Sequence, residues 1–214
     1  MGRTCRRRRV SEHPVATVGG AGVAVAEVDE REARLRAGPQ AAALPRSGTS
    51  EGRQLRRWLT QLIVTERVVD VEVSARGLDV ADAPAESEVL PDVTARLEIG
   101  SIAAATLARP AARALFADVT AGVTVSEAEV ADYHARNPLR FAAERAGDHG
   151  WRGPALAGPP LEQVRAAVTE HLLGAARRRT FRVWLDARRE ALVHLAPGYE
   201  HPGDPRQPDN THRH

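Results

Sequence analysis

Lysine is absent from this 214-residue chain; all 30 of its basic residues are Arg. That excludes a Schiff-base lysine and a Walker P-loop, both of which need an ammonium at a fixed place. Cysteine occurs once, as Cys5, which excludes an intrachain disulfide and a zinc site built from several thiolates. Aromatics make up only 4% of the residues, so a core has to come mainly from Ala, Val and Leu. No apolar run approaches the roughly 20 residues that span a bilayer, and no membrane span is expected. What is present is the composition of a folded chain, 43% hydrophobic and 27% charged, sized for one compact domain or two small ones.

Charge is unevenly placed. The formal net charge is +2, yet residues 1–10 hold five Arg (Arg3 and Arg6 to Arg9) and no acid. The rest of the chain is therefore mildly acidic. The Arg run is followed by the polar Ser11-Glu12-His13-Pro14 instead of the apolar stretch of a secretory signal, so a cytoplasmic location is expected. Arginine clusters attract nucleic acid and anionic lipid weakly. With no aromatic interleaved to stack on a base, the plainer expectation is a solvated, disordered segment over residues 1–14 and no specific nucleic-acid partner.

Along the chain, Val15-Ala16-Thr17-Val18 reads as a short strand and Gly19-Gly20-Ala21-Gly22 as a tight turn, with Val23 to Val25 able to pair back. A weakly amphipathic helix follows from Ala26 to Ala37, stopped by Gly38-Pro39. Residues 41–52 read as a loop. Leu55, Trp58, Leu59, Leu62, Ile63, Val69 and Val73 recur at helical spacing, with Arg56, Arg57, Glu66, Arg67 and Glu72 mainly off the stripe. Gly77 ends that helix. After a connector over 78–89, one helix is expected from Val93 to Ala108, ended by Pro110, and a short turn or helix over 111–118. Ser126 and Glu129 form a capping box that opens a helix through Tyr133 and His134, closed by Asn137-Pro138. Residues 147–160 are rich in Gly and Pro and read as a loop. The longest element starts near Leu161 and keeps near-heptad apolar spacing over about 30 residues, on the order of 45 Å. A helix that long overhangs a small domain, which suggests a partner for its apolar stripe and a homodimer as one way to supply it. Leu192 to Leu195 is a candidate final strand for Val15–Val18, and residues 197–214 read as an extended tail rich in Pro and His.

In order, these elements resemble SurA/PrsA-type foldases. The resemblance is carried by Val15 to Gly20 with the helix after it, by Gln54-Leu55 through Ile63 to Ala75-Arg76-Gly77-Leu78, by Val123-Thr124-Val125-Ser126-Glu127-Ala128-Glu129-Val130 with Tyr133 and Asn137-Pro138-Leu139-Arg140-Phe141, and by Leu161 to Leu185. In that family a parvulin isomerase domain of roughly 90 residues, within the usual domain range, follows the position of Phe141. Only about 20 residues stand here, too few to bury a core. The resemblance thus implies a mostly α-helical chaperone module over residues 15–196, with a minor two-stranded β element and a long C-terminal helix. The isomerase insertion is missing at about 142–160. It also implies a peptide- or protein-binding function without prolyl isomerase activity or a cofactor. The expected partner is an unfolded or extended polypeptide, or a partner protein. The expected contact residues are Trp58, Leu62, Tyr133, Phe141, Trp151, Phe181 and Trp184, since large aromatics give much contact area for little side-chain entropy. The plainer reading of most of them is core.

A second reading is a small-molecule enzyme. Gly48-Thr49-Ser50-Glu51-Gly52 is a G-x-S-x-G sequence, which in hydrolases and acyltransferases puts a nucleophilic serine on a strand-to-helix turn. Residues 41–46 make a poor strand, so Ser50 is also read as a serine near a helix N-cap. Asp148-His149 beside Trp151 is a candidate acid–base dyad. His201, His212 and His214, with Asp204 and Asp209, carry donors suited to a transition metal, against the plainer reading of a polar tail. Cys5 among arginines would have a depressed thiol pKa. Gly19, Gly20 and Gly22 fail the dinucleotide fingerprint, whose third glycine would fall at Val25. His134, His171 and His194 read as interfacial or solvated.

Overall fold

The structure is a computed structural model and describes residues 14–141 and 158–200. Cys5, the N-terminal Arg run, His149, Trp151, His201, His212 and His214 lie outside the described residues. The described chain is mostly helical, with a small antiparallel sheet and a long C-terminal helix. The elements are β1 (Ala16–Val18), β2 (Ala21–Val23), α1 (Val25–Arg36), α2 (Ser50–Arg76), α3 (Glu86–Val89), α4 (Val93–Ile99), α5 (Ser101–Thr106), α6 (Pro110–Val119), α7 (Glu127–Arg136), α8 (Leu161–Leu192) and β3 (Val193–Leu195). A single 3-10 turn, Ala41–Ala43, lies in the loop after α1. No described helix is long and apolar enough to cross a membrane.

The sheet has three strands, in the order β2-β1-β3, where the sequence suggests two. Gly19 and Gly20, both at positive φ (56° and 85°), make the two-residue loop of a hairpin that pairs Val18 with Ala21. Both central residues of such a turn need positive φ, which only Gly adopts freely. The other edge of β1 takes β3, pairing Ala16 with Leu195 and Val18 with Val193, the partner that the sequence pattern offers.

Helix α2 is the hub and packs against α1, α5, α6, α8 and β1. Thr49 caps it, its Oγ1 accepting from the Gly52 amide at 3.1 Å, and Gly77 ends it at φ 61°. The core is built from small aliphatics, among them Val64, Val68, Leu59, Leu107 and Leu115, with one ring pair, Phe116 and Phe181, 5.2 Å between centroids. Arg57 and Glu72, placed off the apolar stripe by the sequence, are in fact buried at 6% and 5% exposure. Their long side chains reach partners on other segments. Arg57 donates to the Gly198 carbonyl, and Glu72 accepts from Arg76 and from Arg188 of α8. Gln61 donates to the Tyr199 carbonyl at 2.9 Å. The residues just after β3 are therefore held against α2, and the tail does not begin as an extended segment at residue 197.

Helix α1 is tied to α2 largely by charge. Arg31 pairs with Glu66, and Arg56 with Asp29 and Glu32. Burial would raise the Glu32 pKa, but hydrogen bonds from Arg36 and Arg56 outweigh it and hold the carboxyl below its usual range. The expected single helix from Val93 to Ala108 is two helices. Gly100 stands between them at φ 90°, a conformation that breaks the α-helical ladder and favours glycine. Pro110 opens α6 at its first turn and does not close its predecessor, because a helix's first amides need no intrahelical acceptor.

Candidate functional site

Helix α7 is opened by the capping box read from the sequence. The Glu129 amide donates to the Ser126 hydroxyl, and the Ser126 amide donates to the Glu129 carboxylate. It lies on the N-terminal half of α8, where Val130 and Val168 are buried but outside the main core cluster. The overhang of the long helix is thus covered from within the chain. Arg165 pairs with Glu127, and His134 Nε2 donates to the Pro159 carbonyl at 2.9 Å. Gly158 fits because it lacks a side chain; a Cβ there would stand 1.9 Å from the Pro138 carbonyl oxygen.

Beside this docked pair runs a groove of about 1190 Å³. One wall is a face of α8 that carries Ala167, Glu170, His171, Gly174, Arg177 and Arg178, spaced by one helical turn. The others are the connector and α4, from Asp82 to Glu98, and the C-terminal end of α6, with Phe116 and Thr120. Arg140, between α7 and α8 in sequence, also lines it. Arg178 is buried and directs its Nε and Nη2 to Glu98 Oε2, at 3.2 and 2.9 Å. Gly174 makes room for that fold-back, since a Cβ there would meet Arg178 Nη1 at 3.1 Å.

His171 and Tyr133 share a hydrogen bond of 3.0 Å, and Phe141 meets both rings, at 5.9 and 6.4 Å between centroids. Burial pushes the His171 pKa below its ordinary value, and Arg140 pushes it further. Arg178 acts the same way, while Glu98 and Asp92 oppose them. The shift favours the neutral imidazole, with burial as its main cause. Among the described residues, Arg140 and Arg177 have no carboxylate partner, and Arg177 Nε is buried without a hydrogen bond.

Of the residues expected to contact a ligand, the structure brings Tyr133 and Phe141 against the ring of His171; His171 lines the groove and the other two do not. Phe181 (0% exposed) and Leu62 (6%) are core residues with no surface to offer. Trp58 packs against the core and donates to Ser101 Oγ at 3.3 Å. Trp184 stacks on Phe181 and lies under the Arg76 guanidinium, 5.1 Å from the ring centre. The sequence did not single out Arg140, Gly174, Arg177 or Arg178. Their signal was the stripe of Glu170, Gly174 and Arg177 along one face of α8.

The G-x-S-x-G sequence has a structural account. Gly48 turns at φ 85°, and a Cβ on Gly52 would lie 2.3 Å from the Arg46 carbonyl oxygen. Ser50 opens α2 after a loop with no strand before it, and it sits beside Glu51, whose carboxyl pKa is lowered mainly by its own backbone amide and by Thr49 and Ser50. No non-glycine described residue has positive φ, so the strained turn of a nucleophile elbow is absent there. No group of three or more His, Cys, Asp or Glu among the described residues is placed to hold a metal ion.

A family of unknown function (DUF7158) matches residues 14–51. That segment takes in β1, β2, α1 and the first residues of α2, and none of the groove. Neither a curated protein nor a solved structure matches the chain.

Proposed function

We propose that this chain is a polypeptide-binding module that takes an extended segment into the groove along α8, without prolyl isomerase activity. The observation that carries the reading is the groove itself. At about 1190 Å³ it exceeds the roughly 300–1,000 Å³ usual for small-molecule pockets. Its length follows a helix face, and its lining mixes apolar surface (Val89, Phe116, Leu173) with charged and polar groups. Such a surface suits a chain that presents both side chains and backbone. His171 supplies contact area at the wall, its ring held from behind by Tyr133 and Phe141. The order of helical elements shared with SurA/PrsA-type foldases supports the same reading.

The test uses the full chain and a chemically unfolded, aggregation-prone client. The wild type is expected to suppress aggregation at near-stoichiometric amounts. Ala167→Trp fills the groove from an exposed position on α8 and is expected to abolish suppression with an unchanged melting curve. A wild type that neither suppresses aggregation nor binds any member of a labelled peptide library would end this reading. Prolyl isomerase turnover on a tetrapeptide would contradict its second half.

A further inference from the structure

The charges in the groove differ in how well they are neutralised. Arg178 and Glu98 satisfy each other. Asp92 caps α4, its Oδ1 accepting from the Ala95 amide at 2.7 Å. Asp82, Glu88 and Glu170 line the groove from exposed positions, where water solvates a carboxylate at no cost. Arg177 stands apart. It is half-buried, its Nε is sealed from water without an acceptor, and no described carboxylate pairs with it. A guanidinium partly removed from water without a counter-charge gains more from an incoming anion than a solvated group does. Arg140, exposed and also without a carboxylate partner among the described residues, lines the same groove. Both guanidinia line the groove without a carboxylate partner among the described residues, and a carboxylate is the acceptor that a guanidinium matches best.

We infer that Arg177 and Arg140 together select polypeptide segments that carry a carboxylate side chain, with Arg177 the half-buried anchor and Arg140 the rim contact. This rests on the reading of the groove as a polypeptide site. The ligand carboxylate meets the guanidinium edges that face the groove, and His171 offers an apolar ring surface on the same wall. Binding then has a salt-sensitive part, since Arg140 is exposed and its attraction is screened over about 8–10 Å at physiological ionic strength.

The experiment is fluorescence anisotropy with the full chain and three labelled twelve-residue peptides of Ala, Leu and Ser that differ in a central pair of residues: Glu, Gln or Lys. The Glu peptide is expected to bind about five- to tenfold tighter than the Gln peptide, a preference of the size a charge-assisted hydrogen bond gives. In Arg177→Gln and Arg140→Gln that preference is expected to fall toward one while affinity for the Gln peptide is kept. Arg140 is exposed, so the second variant tests the inference even if the first folds poorly. Equal binding of Glu and Gln peptides, or a preference for Lys, overturns the inference and leaves the groove reading standing. A Glu preference that survives both substitutions also overturns it. Loss of binding to all three peptides in the wild type overturns both readings.

Discussion

Helix α8 is one continuous helix with two characters. From Arg178 to Leu192 it belongs to the core. Phe181 and Leu185 are 0% and 2% exposed, Trp184 stacks on Phe181, and Arg188 and Arg189 reach Glu72 and Gln61 of α2. From Leu161 to Arg177 a single residue, Val168, is buried, and the neighbours are α7 and the groove. The first half is therefore positioned by the second. Rigid packing at one end holds a polar face at the other, which is how a site is kept in register without a core of its own.

The sharpest way to break this contrast is Phe181→Ala. It removes the largest fully buried side chain and half of the ring pair with Phe116, and an expected cost of about 3–5 kcal/mol would appear in urea unfolding. Binding should fail with the fold.

Gly158→Ala acts on the other half. A Cβ forced against the Pro138 carbonyl oxygen should displace α7 from α8 at a cost of about 1–3 kcal/mol. Hydrogen exchange is expected to rise over residues 127–136 while the amides of residues 178–192 stay protected. Uniform loss of protection would show that the two halves are not separable.

The smallest expected effect is a dependence on pH. Burial and the nearby Arg140 lower the His171 pKa in the folded chain, so the unfolded chain binds the proton more readily. The docking of α7 is thus at full strength above the ordinary His pKa of 6.5 and weakens as pH falls below it through the lowered folded value. Protection factors over residues 127–136, taken relative to the intrinsic exchange rate at each pH, should be lower at pH 5 than at pH 7.5, and His171→Phe should flatten the difference.

Much of the fold is legible in the residues. The period of Leu55, Leu59, Leu62 and Val69 marks α2, Ser126 and Glu129 mark the start of α7, and the pairing of Val15–Val18 with the final apolar run follows from two short β-branched segments. The misreadings have physical causes. Gly100 breaks a helix because of its backbone angle, and a lone glycine within an apolar pattern does not declare that angle. Arg57 and Glu72 read as surface by type, and they are buried because distant chain supplies their partners. The groove was the least legible part. Its walls come from α4, α6, α8 and the segment at Arg140, and only tertiary structure brings those together. A contact set read mainly from aromatics therefore mixed core residues such as Phe181 and Leu62 with the pair at His171.

The central position of β1 has a kinetic consequence. Ala16 is among the first described residues to find a partner, through the hairpin with β2, yet its second edge waits for Leu195. During synthesis that edge stays open until residues 193–195 emerge, and an unpaired strand edge is a template for mispairing with other chains. The sheet is closed by the last described element, so β1 makes contacts across nearly the full length of the described chain. Contacts this distant slow the search for the native state. A nascent chain halted before Val193 should hold helices around α2 but an incomplete sheet, and it should be the form most prone to self-association.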